Sequence, residues 1–198
     1  MDVNLLFPSA VARSAHPEFL ATAKAVVAEY IARADRQDAT VCHSEPMFDE
    51  RLDDLLMLIA KESFLMLSDQ GYNMSHAKTE ITEFWSQEFL KNGQHIEHVH
   101  ALGAQVTGFY FVDVPDDSSN PMVFDPRYGK RQINLPEANR KEVSYASEQV
   151  VFEVQEGDLL FFNSWLPHGF TKHLSDKPFR FIHFNVAVGA NQNEVEVI

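Results

Sequence analysis

The chain has 198 residues with 29 acidic against 16 basic side chains, a formal charge of -13 that sets the whole-molecule field against nucleic-acid phosphates and anionic lipid. Hydrophobic residues make up 45% and charged residues 23%, the balance of a folding globule and not of a disordered or fibrous chain. The one cysteine, Cys42, excludes an intrachain disulfide and a cysteine-based zinc cage, so a metal site here must draw on histidine and carboxylate, ligands that suit iron, manganese or zinc.

The opening MDVNLLFPSA lacks the basic start and long apolar run of a signal peptide. No apolar stretch approaches the ~20 residues of a membrane span. A cytoplasmic protein with no membrane or nucleic-acid partner is expected; its oligomeric state is not encoded in any feature of the sequence. From Pro17 to about Gln37, Phe19, Leu20, Ala23, Val26, Val27 and Tyr30 recur at helical spacing and predict an amphipathic helix. A second helix is predicted from about Phe48 to Asp69, with acidic residues in its first turns, as the helix dipole prefers, and DQGYN as its stop.

After Ser75 the pattern changes to short runs rich in Val, Ile, Phe, Tyr and Thr: EITEFWSQEFL, AQVTGFYFVDV, PMVFDP, QVVFEV, GDLLFFN and FRFIHFNVAV. Pro, Gly, Asn and Asp clusters separate them. Strands following helices without alternation predict an α+β chain, an all-β sandwich or barrel buttressed by N-terminal helices. The whole of 1–198 reads as one domain, residues 1–75 being helical support and 76–190 the β core. Two loops, 113–121 and 127–148, are long enough to carry specificity. The second gathers Arg127, Lys130, Arg131, Arg140 and Lys141, either a steering surface for an anionic substrate or a solvated loop.

The densest chemistry lies in HIEHVH, residues 95–100. On a strand, side chains alternate faces, so His98 and His100 project together and can both reach one cation at ~2 Å. The same parity offers a competing pair, His95 and Glu97. A third ligand is available in GDLLFFNSWLPHGF, where His168 follows a buried strand, a turn and Pro167. Arg180 opens an apolar strand and shares parity with Ile182 and Phe184; a guanidinium on an inner face must find an anion, either an internal carboxylate or a bound one.

In this order the segments HVH, TGFYFV, FDPR, FFNSWLPH and FRFIHFN resemble the 2-oxoglutarate and Fe(II)-dependent dioxygenase superfamily, over about residues 80 to 188. Within it they resemble the family with H-x-H, SGxYY, DPR, SWLxH and Arg motifs. The resemblance implies a double-stranded β-helix, of the jelly-roll or cupin-like barrel kind, with Fe(II) held by His98, His100 and His168. It implies that Arg180 clasps the distal carboxylate of the cosubstrate 2-oxoglutarate, with Tyr110 assisting. The activity implied is hydroxylation of a small-molecule or peptide substrate, with release of succinate and CO2. Most of the superfamily carries a carboxylate where this chain has His100, and three neutral ligands leave the iron one net charge more positive. Trp165, Phe109 and Phe111 are candidate apolar walls. The alternative is a cupin-like metal-binding barrel without oxygenase activity.

Overall fold

The computed structural model describes residues 1–190 except 3, 5, 37, 101, 102 and 134. In chain order the elements are β1 (Val11–Ala15), α1 (Leu20–Arg33), β2 (Val41–His43), α2 (Asp53–Asp69), β3 (Ala77–Phe89), β4 (His95–His98) and β5 (Ala104–Asp113). They continue with β6 (Pro121–Phe124), α3 (Tyr128–Gln132), β7 (Gln149–Val151), β8 (Asp158–Asn163), β9 (His168–Phe170) and β10 (Phe179–Ala190). Short 3-10 turns at Pro17–Phe19 and Glu50–Leu52 lead into the two long helices. The predicted helices form within a turn of their expected limits, the first giving way to extended backbone at Ala34. Asp49 caps the 3-10 turn that leads into α2, accepting from the Arg51 amide, and Asp53 and Asp54 lie in the first turn of α2.

Strands β1 and β2 lie in the stretch where only helices were expected. Each is too short to display a period of its own, and its backbone is satisfied by a longer neighbour, β8 or β3. The 127–148 loop carries the single-turn helix α3.

The strands form a six-stranded sheet, β1-β8-β5-β10-β3-β2, and a four-stranded sheet, β4-β9-β6-β7. Every strand pairing is antiparallel. Among the described residues no strand pairing joins the two sheets, so the expected barrel is realised as two facing layers. Two cores result. One lies between the six-stranded sheet and the helices and takes Val26, Val27, Leu55 and Ile59 together with Tyr110, Phe161, Ile182 and Phe184. The other lies between the sheets and takes Phe89, Phe109, Phe111, Phe162, Phe170, Phe179 and Phe181.

The period of two along β5, β8 and β10 therefore sorts aromatic residues to both sides of one sheet. Gly108 marks the tightest point on the helix side: a Cβ there would meet Phe161 Cβ and Phe184 Cζ, each at 2.5 Å.

A candidate metal centre of converging histidines

Adjacent strands β4 and β9 place His98 directly opposite His168. Both rings are fixed the same way. Nδ1 of each lies 2.9 Å from the carbonyl two residues earlier, Ile96 O for His98 and Leu166 O for His168, so that the ring N–H donates there and Nε2 is free to face the site. His100 follows the end of β4, where its backbone N–H donates to Ser164 O at 3.0 Å. Ring centroids stand 4.4 Å apart for His98 and His168, 5.2 Å for His98 and His100, and 5.1 Å for His100 and His168. One nitrogen from each of the three lies within 4.8 Å of the others.

The buried Nε2 atoms of His100 and His168 have no hydrogen-bond partner among the described residues. A buried polar atom left so is costly unless something else satisfies it. Burial pushes His168 down to about 3 and His100 down to about 4, so both are neutral near pH 7, the form that ligates a metal. Three imidazoles suit a borderline divalent ion, and the residues fit Fe(II).

Three further histidines extend the cluster, and sequence reasoning had not assigned two of them. A register shift between His95 and His98 turns both rings to one side, 5.7 Å apart, and sends Glu97 out to Arg131 at 2.6 Å. The alternative pair His95 and Glu97 is thereby split. His95 instead meets the amide of Gln87, which also lies 2.7 Å from His43 Nε2. His183 on β10 stacks against His100 at 4.8 Å and is 2% exposed. A signal for it was present: His183 shares parity with Phe179 and Phe181, which marks the face it occupies.

Arg180 and Tyr110 lie on the opposite face of the sheet. Arg180 Nε and Nη2 each lie 2.8 Å from Glu88 Oε2, and Nη1 lies 3.4 Å from Asp113. Arg36 reaches the same Glu88. Tyr110 donates to His16 O at 2.7 Å within the helix-side core, where burial pushes its phenol well up. The expected clasp is thus corrected to an internal ion pair: on β10 the face toward the imidazoles falls to Phe179, Phe181 and His183, which leaves Arg180 on the other, and the parity Tyr110 shares with His98 does not carry across the turn between β4 and β5.

The positions of β10 that do face the imidazoles are Phe179, Phe181 and His183. No lysine or arginine is among the buried described residues, and the β10 side chains beneath the imidazoles are phenyl rings. The imidazoles fit a metal, and Arg180, paired with Glu88, is not placed to clasp 2-oxoglutarate there.

Phe109 and Phe111 are buried in the ring cluster, while Trp165 is half-exposed. The basic loop is largely engaged within the protein: Arg127 and Lys130 both bond Asp125, whose burial alone would raise its carboxyl but whose cations hold it at about 2.

Residues 83–185 match the family described as "Putative 2OG-Fe(II) oxygenase". No curated protein matches by sequence. Among solved structures the chain is similar to a prolyl-4-hydroxylase of Pseudomonas putida, at 12% identity over 90% of this chain and 92% of that one, TM-score 0.62. It is similar to an oxidoreductase of the 2OG-Fe(II) oxygenase family from Burkholderia pseudomallei, at 13% identity over 89% and 84%, TM-score 0.59. A third is HygX of Streptomyces hygroscopicus, solved with nickel and 2-oxoglutarate, at 12% over 90% and 83%, TM-score 0.56. At such identities the likeness bears on the fold, the double-stranded β-helix.

Proposed function

The chain belongs to the family of 2OG-Fe(II) oxygenases, and on that premise we propose that it is an Fe(II)-dependent oxygenase using His98, His100 and His168 as metal ligands. The observation that carries the reading is the convergence of these imidazoles, two with buried Nε2 atoms that no group among the described residues satisfies. Bound iron with 2-oxoglutarate supplies dioxygen activation coupled to release of succinate and CO2. His98 and His168 keep their tautomers through the Ile96 and Leu166 carbonyls and present Nε2 without reorganisation. Phe109 and Phe162 pack on the His168 ring and would keep water from that side of the ligand.

The substrate proposed is a small molecule or a peptide, in a cytoplasmic setting; no described helix is long and apolar enough to cross a membrane. Arg180, held by Glu88 and Asp113, is not the group that would receive the far carboxylate of 2-oxoglutarate.

The test is anaerobic addition of Fe(II) and 2-oxoglutarate. A weak visible charge-transfer band is expected, with succinate formed on admitting air, and both lost in His168→Ala. An iron-loaded, folded chain giving neither band nor succinate rejects the oxygenase. That outcome favours the second reading, a metal-binding protein on this fold without oxygenase turnover, which the Phe179 and Phe181 positions support.

A further inference from the structure

A second group of metal-competent side chains adjoins the first. Glu83 on β3, His100 after β4 and His183 on β10 each offer a ligand atom within 4.8 Å of the others. The fold builds this group directly: Glu83 and Asn185 are cross-strand partners on β3 and β10, and His183 precedes Asn185 by two, on the same face. His183 is 2% exposed and its Nδ1 has no partner among the described residues.

Asn185 shows what this locus demands. Its Nδ2 lies 2.8 Å from Glu83 Oε2 and 3.0 Å from His100 Nδ1. The carboxylate requires a donor, which fixes the amide with its NH2 group inward, and the second hydrogen of that group meets His100 Nδ1. Three Lewis bases thus face a place now served by one amide group, and one of them, His183 Nδ1, receives nothing. The same contact assigns the His100 tautomer. While Nδ1 accepts from Asn185, the ring hydrogen sits on Nε2; the tautomer with its lone pair on Nε2 is the one that serves the first seat.

We propose that Glu83, His100 and His183 form a second cation seat, taking Fe(II), Mn(II), Co(II) or Zn(II). The seat supplies two imidazoles and one carboxylate, the donor set that the H-x-H segment lacks, with Asn185 turning aside as the ion enters. A neutral imidazole has a single free lone pair, so His100 serves one seat at a time. The proposal shares with the preceding section only His100 as a ligand of the first seat.

The test titrates the full-length chain with Co(II), followed by visible absorption and calorimetry. His168→Ala and His98→Ala, each of which dismantles the first seat, are expected to keep one Co(II) with affinity within about tenfold of the parent. Adding Glu83→Gln to either should weaken binding by at least a hundredfold, Gln being near in shape and unable to supply the anionic oxygen. Loss of Co(II) binding from both single variants, with far-UV spectra unchanged, overturns the second seat. Equal affinity with and without Glu83→Gln in those backgrounds does the same. Parent protein that takes up no Co(II) sinks both seats, whereas a missing Fe(II)–2-oxoglutarate band sinks only the oxygenase and leaves this measurement decisive.

Discussion

On the face of the six-stranded sheet that looks toward the four-stranded sheet, β10 presents Phe179, Phe181 and His183. On the other face the same strand presents Arg180, Ile182 and Phe184 to the helices. The helix side handles its charges in the ordinary way, by bringing Arg180, Arg36, Glu88 and Asp113 together. Among the described residues the sheet-to-sheet side carries no buried lysine or arginine and gathers its polarity into imidazoles at one end, above a bed of phenylalanines. The difference teaches where ligand chemistry can occur. Opposite charges already neutralised have little left to offer an incoming molecule, whereas imidazoles with unsatisfied nitrogens do.

The sharpest way to stress this contrast is acid. His168 is depressed to about 3 and His183 well below its usual value, both by burial, whereas the unfolded chain titrates near 6.5. Below pH ~6.5 the unfolded state therefore binds more protons than the native one. Stability of the metal-free chain is full above that pH and falls by up to about 1.4 kcal/mol per pH unit for each such histidine as pH drops toward the folded values. Urea midpoints measured from pH 7 to 4.5 should decline steeply; a flat profile would mean the imidazole end is not dry.

Next in size is Phe181→Ala, a fully buried ring packed on Phe89, Phe109 and Phe170, expected to cost about 3–5 kcal/mol in urea denaturation. Its neighbour Arg180→Ala should cost about 2 kcal/mol, because Glu88 is buried but keeps Arg36. More telling, Arg180→Ala should leave the response of the iron-loaded chain to 2-oxoglutarate unchanged. A lost response would break the two-face comparison. The smallest effect is expected for Glu97→Gln, which opens a partly exposed pair with Arg131. Stability should change by less than about 1 kcal/mol, with Co(II) affinity intact.

Much of the architecture was legible because long elements repeat their pattern. The α1 and α2 stripes and the strand runs from β3 onward each supply enough residues for a period to emerge. The His98, His100 and His168 grouping was legible for a different reason: a two-residue spacing and a histidine after a rigid Pro167 bend are local facts. Arg180 and Tyr110 failed where locality ends. Both sit correctly on their strands, but which face of a sheet looks inward is decided by what packs on each side. The sequence near Arg180 offers apolar residues at both parities. The meeting of Glu83, Asn185 and His183 was not legible for the same reason, since it depends on the register between β3 and β10, which shifts between Asn185 and Val186.

Among the described residues strand β4 is the outermost member of its sheet, paired with β9 alone. An ion gripped by His98 and His168 would therefore rivet a free border to its sole neighbour, joining segments remote in the chain. The freedom of the intervening polypeptide would shrink as a cross-link shrinks it. Metal loading should thus be readable far from any spectrum of the ion itself, as slower deuterium uptake by the amides of His95–His98 and of the chain that leads into them.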